Sequence, residues 1–446
     1  MKLDKIILEN YRGFEKEEIF FSESNINVFI GINGAGKTSL LDAIVYNFEL
    51  WIESNFKVDI SAKKFYDKWG SIDILDYVLP FFMLELKKNA KLGKIHTYFN
   101  QLEVTEIEVT FDEQAHHVII GSKNNFQSFL LAELFENENY SIPIFAYYTT
   151  FQFFDKKEQD KSKNVPKIKQ LNAYQNICTY LSDYHLFEKW FKNQEDYENQ
   201  EKIRLKNLDY RNPSLEVVRK VIEIFFQELG NPFFNDLKIQ RFENESFDFK
   251  DVNQNFSLVI NKNDIIFHLD ELSSGEKNLL LLICDIARRL SIANPMFSIE
   301  EILEKGEGIV LIDEIEQHLH PKWQRNILSA LEKTFPNIQF IVTTHSPQVL
   351  SGTKKENVFI LDNFKVSQQK PYVEGRDSNS ILEDAFNFSK YSPEIKSKID
   401  DFYHFLQNNI EKAEEILNSI KEKFGEFDLE VKRATMYLED EKEDLE

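Results

Sequence analysis

The sequence predicts an α/β fold: a mixed or parallel sheet with flanking helices, a helical insertion and a C-terminal helical hairpin. Three observations predict it. An apolar run at 26–30 stops at a glycine-rich stretch and continues into a segment of helical period. A second apolar run, at 309–312, ends in paired carboxylates. Through the second half of the chain, β-prone runs alternate with segments of 3.6-residue period, the pattern of a parallel sheet with crossover helices.

Residues 2–9 (KLDKIILE) alternate loosely and read as a strand, with a turn at 10–14 (NYRGF). Residues 26–30 (INVFI) are a β-prone run, and 39–50 carry the helical period through Leu40, Leu41, Ile44 and Val45. Residues 105–121 read as a hairpin and 142–148 (IPIFAYY) as a buried strand. From about 155 to 230 the character changes to a Lys-rich stretch and then to helical, aromatic and charged segments, which reads as an insertion into the head. Strand-like runs resume at 256–269 and lead into LSSGEK and a long helix to Leu290. A strand at 308–313, a helix at 322–334 and a strand at 340–343 follow. After Asp362 the chain turns polar, then forms a helical hairpin at 393–424 and 429–438 with an acidic tail. The expected organisation is therefore 1–154 and 256–370 as two parts of one head, 155–255 as the insertion, and 371–446 as the tail.

Composition narrows the function class. Hydrophobic residues make up 42% and charged residues 29% of 446 residues, a globular balance with core material that includes 40 Phe. No run approaches the ~18 apolar residues of a membrane helix, and the start has no signal-peptide pattern. Cys178 and Cys284 are too few for a metal cluster, so a reducing cytoplasm is the expected setting. The net charge of −22 opposes a surface that grips DNA throughout, and favours a protein partner or indirect or local contact with nucleic acid.

The chemistry sits in four short stretches. Residues 31–38 (GINGAGKT) match G-x-x-x-x-G-K-[ST] between strand and helix. Glycines such as Gly34 and Gly36 let backbone N–H groups, including that of Asn33, converge on phosphate oxygens, and the helix start at Ser39 adds its positive end. Lys37 is placed to reach the β- and γ-phosphates of ATP and Thr38 to hold Mg²⁺. In 309–314 (IVLIDE) a buried strand delivers Asp313 for Mg²⁺ and Glu314 to polarise the attacking water. In 272–276 (LSSGE), Ser273, Ser274, Gly275 and Glu276 open a helix, as a second phosphate-binding start or as an ordinary capping box. In 343–347 (TTHSP), His345 follows an apolar strand and can donate to a γ-phosphate.

In chain order, 31–38, 272–276, 309–314 and 343–347, the four stretches resemble the ABC-type ATPase heads of the SMC and RecF class. The resemblance implies ATP and Mg²⁺ as cofactors and a homodimer, or higher oligomer, in which 272–276, the signature stretch of such heads, completes the site of the opposing head. It also implies that Arg12 lies near the nucleotide. Further stretches resemble the Septu anti-phage ATPase subunit, also found in some retron systems: 187–191 (FEKWF), 195–199 (EDYEN), 287–290 (ARRL) with Asn294-Pro295, 318–324 (HLHPKWQ) and 375–379 (GRDSN). That similarity implies a separately encoded HNH endonuclease partner and, in a retron context, a reverse transcriptase with its msDNA. A stand-alone RecF-like repair ATPase is the alternative. Residues 372–377 (YVEGRD) resemble the opening of a Toprim nuclease, as in OLD-type enzymes, but no strand ending in D-x-D follows. His318 with His320, and His116 with His117, lack further ligands at metal spacing. For the glutamine that contacts Mg²⁺ in such heads, Gln152 is the candidate and Gln175 the other possibility.

Overall fold

The computed structural model describes residues 1–56, 94–99, 106–112, 117–123, 141–149, 169–175, 177–180, 185–241, 256–386 and 391–443. The chain forms two compact units, Met1–Arg376 and Asp377–Glu446.

The first unit is built on a seven-stranded sheet of order β15-β14-β3-β13-β12-β7-β8. Its members are β3 (Ile26–Ile30), β7 (Ile144–Thr149), β8 (Cys178–Tyr180), β12 (Gly308–Ile312), β13 (Ile338–Thr344), β14 (Val358–Asp362) and β15 (Lys365–Val366). Every pair is parallel except β14–β15. All residues of β3, β7, β12 and β13 are buried, as a parallel sheet covered on both faces requires. Three antiparallel sheets accompany it. They are β2-β1-β4, from β1 (Leu3–Tyr11), β2 (Phe14–Phe20) and β4 (Lys94–Phe99); β11-β10-β9, from β9 (Phe234–Arg241), β10 (Phe256–Lys262) and β11 (Ile265–His268); and the hairpin β5 (Glu106–Asp112) with β6 (His117–Lys123).

Helices begin where local chemistry tells them to. α1 (Lys37–Phe56) follows the glycine loop and buries Leu40, Leu41, Ile44 and Val45. After α2 (His185–Leu205), Asn212 caps α3 (Pro213–Glu228), with Pro at the first turn where a missing N–H costs nothing. Ser273 with Glu276 and Ser298 with Glu301 form capping boxes on α4 (Ser274–Ala293) and α5 (Ile299–Lys305). His320-Pro321 and Ser346-Pro347 start α6 (Pro321–Thr334) and α7 (Pro347–Ser351) in the manner of α3. α3 carries a fully apolar stripe, Val218, Val221, Ile222, Phe225 and Phe226, and packs on α4, α5 and α6. No helix among the described residues is long and apolar enough to cross a membrane.

Two sequence expectations require correction. Residues 155–230 do not stand wholly apart from the sheet, because β8 pairs parallel with β7 at its edge. A three-residue strand is too short to show a period. The C-terminal hairpin is instead a three-helix arrangement, preceded by α8 (Ser378–Phe386): α9 (Pro393–Leu406), α10 (Ile410–Phe424) and α11 (Leu429–Glu443). The expected long first arm breaks at Gln407–Asn409, where the Asn409 side chain accepts from the N–H of Lys412 and starts a new helix. Phe402, Leu406, Ala413, Leu417, Ala434 and Leu438 form a core within this unit.

Candidate functional site

β3, β12 and β13 end side by side, so three loops issue from one sheet edge, the edge at which open α/β sheets bind ligands. The loop after β3 takes positive φ at Gly34 (82°) and Gly36 (107°), which glycine alone adopts freely. A Cβ at Gly34 would meet nothing within 4 Å, so the loop backbone is open to an approaching phosphate. Asn33 and Gly34 are exposed at the tip. The Lys37 ammonium folds over this loop and donates to the carbonyls of Gly31 (2.9 Å) and Ile32 (3.1 Å). Burial pushes its pKa down, against the opposing pull of Asp313, Glu314 and Glu316. An anion seated on the loop would relieve that penalty.

Asp313 joins the loops. One carboxylate oxygen accepts from the Thr38 hydroxyl at 3.0 Å and the other from the Thr343 hydroxyl at 2.5 Å. Thr343 Oγ1 in turn accepts from the Glu314 N–H at 2.9 Å. Thr38 and Asp313 therefore present hard oxygen donors side by side, the set that Mg²⁺ takes. Glu314 sits at φ 51°, a costly conformation for a residue with a side chain and one that clusters at functional sites. Burial raises its pKa, and the charges of Asp313 and Glu316 add to the effect. His345 follows β13, and burial, then Lys37, lowers its pKa, favouring the neutral imidazole.

Arg12 lies in the β1–β2 turn and donates to Asp42 (2.6 Å) and Ser39 (3.2 Å) of α1. Ser273, Ser274, Gly275 and Glu276 lie at the start of α4. Ser273 and Glu276 cap each other, and Glu276 also pairs with Lys262 at 2.6 Å. None of their bonds runs to Lys37 or Thr38. Gly275 lies flat against the backbone after Glu314, since a Cβ there would come within 2.4 Å of the His318 carbonyl. Gln152 lies outside the described residues. Gln175 follows the 3₁₀ turn Lys169–Tyr174 and donates to Asn172 at 3.1 Å.

The remaining motifs are explained largely by scaffold contacts. Glu195 accepts from Ile239 N of β9, and Glu198 takes the Asn212 N–H and pairs with Lys202 and Arg219. Asp285 holds Arg288 and Arg289 in the core. His320 caps α6 and Trp323 packs edge-on to Phe226, while Asp377 accepts from the N–H groups of Asn379 and Ser380 at the start of α8.

Phe364 escaped the sequence reading. It occupies the β14–β15 turn at φ 61°, its N–H donates to Ala35 O at 3.0 Å, and its ring packs edge-on to Phe14. The ring fills the space beside Gly13 and Gly36, wedging the Arg12 turn against the phosphate loop. Replacing Gly13 with Ala would bring a Cβ within 2.3 Å of that ring. Gly13→Ala is expected to cost about 1–3 kcal/mol and to weaken ATP binding. Thermal melts with and without ATP would read both effects.

A family model described as "AAA domain, putative AbiEii toxin, Type IV TA system" matches residues 26–351. The chain is 31% identical to the Retron Ec83 probable ATPase of Escherichia coli over 443 residues, 89% of this chain and 78% of that protein. It is 28% identical to the Retron Vc95 probable ATPase of Vibrio cholerae serotype O1 biovar El Tor, over 93% and 86% of the two chains. A shorter match, 34% over 170 residues, reaches 36% of this chain and 23% of the Septu protein PtuA of Bacillus mycoides (strain KBAB4). With that model spanning most of its length and a retron ATPase alike along nearly all of it, the chain belongs to this AAA-domain family of ABC-type ATPases.

Proposed function

We propose that two copies of this chain close around ATP, hydrolyse it, and by doing so govern a separately encoded HNH nuclease in a retron- or Septu-like anti-phage system. The observation that carries the reading is the meeting of Lys37, Thr38, Asp313, Glu314 and His345 at the ends of β3, β12 and β13. Lys37 and the loop N–H groups bind the β- and γ-phosphates, giving up the carbonyl contacts that the ammonium now makes. Thr38 and Asp313 would hold Mg²⁺, with Gln152 as the further ligand proposed from the sequence. When bound, Mg²⁺ neutralises charge that builds on the phosphates.

Glu314 accepts a hydrogen bond from the attacking water and orients it, and His345 donates to the γ-phosphate. Arg12, Asn33, Gly34, Gly36 and Ser39 line the same nucleotide, while Ser273, Ser274, Gly275 and Glu276 of the opposing copy close over its γ-phosphate. The net charge of −22 favours a protein partner over direct cover of DNA. In a retron setting a reverse transcriptase and its msDNA would join the assembly, in the cytoplasm.

The test is recovery of the tagged protein from its host in ATP, comparing wild type with Glu314→Gln. An HNH protein enriched with the variant is the expected result. Recovery of the chain alone on DNA would instead support a stand-alone repair-type ATPase.

A further inference from the structure

His345 occupies the two-residue connection between β13 and α7, where neither a sheet ladder nor a helix fixes the backbone. Its position is set from outside. Glu316, two residues beyond Glu314, accepts the His345 N–H on Oε1 at 2.6 Å. The second carboxylate oxygen is buried and accepts from no donor among the described residues, so the His345 bond is the one hydrogen bond that this carboxylate makes there. A hydrogen bond to an ionised acceptor is worth roughly twice a neutral one. A buried acceptor left without a donor is costly, so loss of the His345 bond would leave the whole carboxylate without a donor among the described residues.

A second anchor stands beside the first. Gln324, in the first turn of α6, donates to the carbonyls of Leu319 (2.9 Å) and Glu316 (3.4 Å) and accepts from the Ser346 hydroxyl at 2.7 Å. Ser346 is the N-cap of α7, so the residue after His345 is held from both sides.

We propose that Glu316 is a positioning residue that sets His345 for its γ-phosphate contact, with Gln324 as the second anchor of the same loop. The inference rests on the reading of His345 given above. Its physical content is that the acid-bearing segment after β12 and the His345 loop move as one piece. Neither anchor hydrogen-bonds to Lys37, Thr38 or Asp313 among the described residues, and Glu316 acts on Lys37 through its charge alone. Their loss therefore spares the binding of ATP and damages the step that needs a correctly placed imidazole.

The experiment compares wild type, Glu316→Ala, Glu316→Gln, His345→Ala and the Glu316→Ala/His345→Ala double variant. Three quantities are read: ATP turnover, affinity for a fluorescent ATP analogue, and hydrogen exchange of the peptide containing His345. Glu316→Ala is expected to lower kcat about 10–100-fold, the effect of misplacing a catalytic group by an ångström or so. KM and analogue affinity should stay within about twofold, and the His345 amide should exchange faster. Glu316→Gln keeps an acceptor oxygen and should recover most of the turnover. In the double variant the Glu316 change should add nothing to the loss caused by His345→Ala, because coupled residues are not additive.

Unchanged turnover and exchange in Glu316→Ala, full additivity in the double variant, or no recovery with Gln would each overturn the proposal. If His345→Ala turns over like wild type, the catalytic reading of His345 fails, and exchange at its amide still decides whether Glu316 anchors the loop. Should Glu316→Ala fail to fold, Gln324→Met must give the same pattern of lost kcat and kept affinity, and its absence would overturn the proposal.

Discussion

Glu314→Gln is expected to lower ATP turnover by about 10²–10⁴-fold, the range over which a positioned general base contributes, while leaving ATP affinity within a few-fold. The substitution keeps size and hydrogen-bonding capacity but removes the carboxylate that would take up a proton from water. The Glu314 backbone is held through its N–H by Thr343, so the amide side chain should occupy the same place. Thr38, Asp313 and Lys37 are untouched, which leaves the phosphate and Mg²⁺ contacts in position. The variant should accumulate as an ATP-bound dimer, read by light scattering in ATP and by single-turnover hydrolysis. Turnover within about tenfold of wild type would show that another group activates the water.

The largest effect on stability is expected at Asp285, in the middle of α4. Its two oxygens take Arg288 Nε and Arg289 Nε at 2.8 Å each, and the second also accepts from Tyr148 OH at 2.8 Å. Arg289 reaches on to the Ala173 carbonyl at 2.7 Å. Both arginines are essentially inaccessible to solvent. Asp285→Ala would remove the carboxylate that Arg288 and Arg289 share in the core, a loss of about 3–5 kcal/mol. Urea denaturation followed by circular dichroism would measure it.

The same site predicts an acid dependence. Burial alone pushes the Asp285 carboxyl up, but Arg288 and Arg289, with the bonds from Arg289 and Tyr148, outweigh it and hold the carboxyl well below the usual range. A carboxyl with a depressed folded pKa contributes stability that is present above its unfolded value, about 3.9, and is lost as pH falls through the folded one. Wild type should therefore lose stability below about pH 4 more steeply than Asp285→Asn, which has no proton to take up there. Equal acid sensitivity in the two proteins would remove Asp285 from the account. The site also bears on function, because Tyr148 O accepts the Asp313 N–H at 2.9 Å. Asp285 thereby ties the helix that opens with Ser274-Gly275 to the strand neighbouring the Asp313 carboxylate.

By itself the sequence determined whatever local chemistry encodes. The glycine spacing at 31–36 demands a loop of positive φ, and the short, β-branched apolar run before Asp313 fits a strand of a sheet covered on both faces. The capping signal at Ser273 located a helix start for the same reason: its partner, Glu276, lies within four residues. Gln152 stayed an inference from sequence alone. What only the tertiary structure decided was every contact between residues far apart in the chain. β8 entered the sheet because β7 offered a free edge, although three residues carry no legible period. Phe364 found Gly13 and Gly36, and Glu316 found His345, because the topology places the ends of β3, β12, β13 and β14 together. A residue's partner tens or hundreds of positions away leaves no mark in local spacing, so the groups that carry the chemistry were legible in the sequence and those that hold them in place were not.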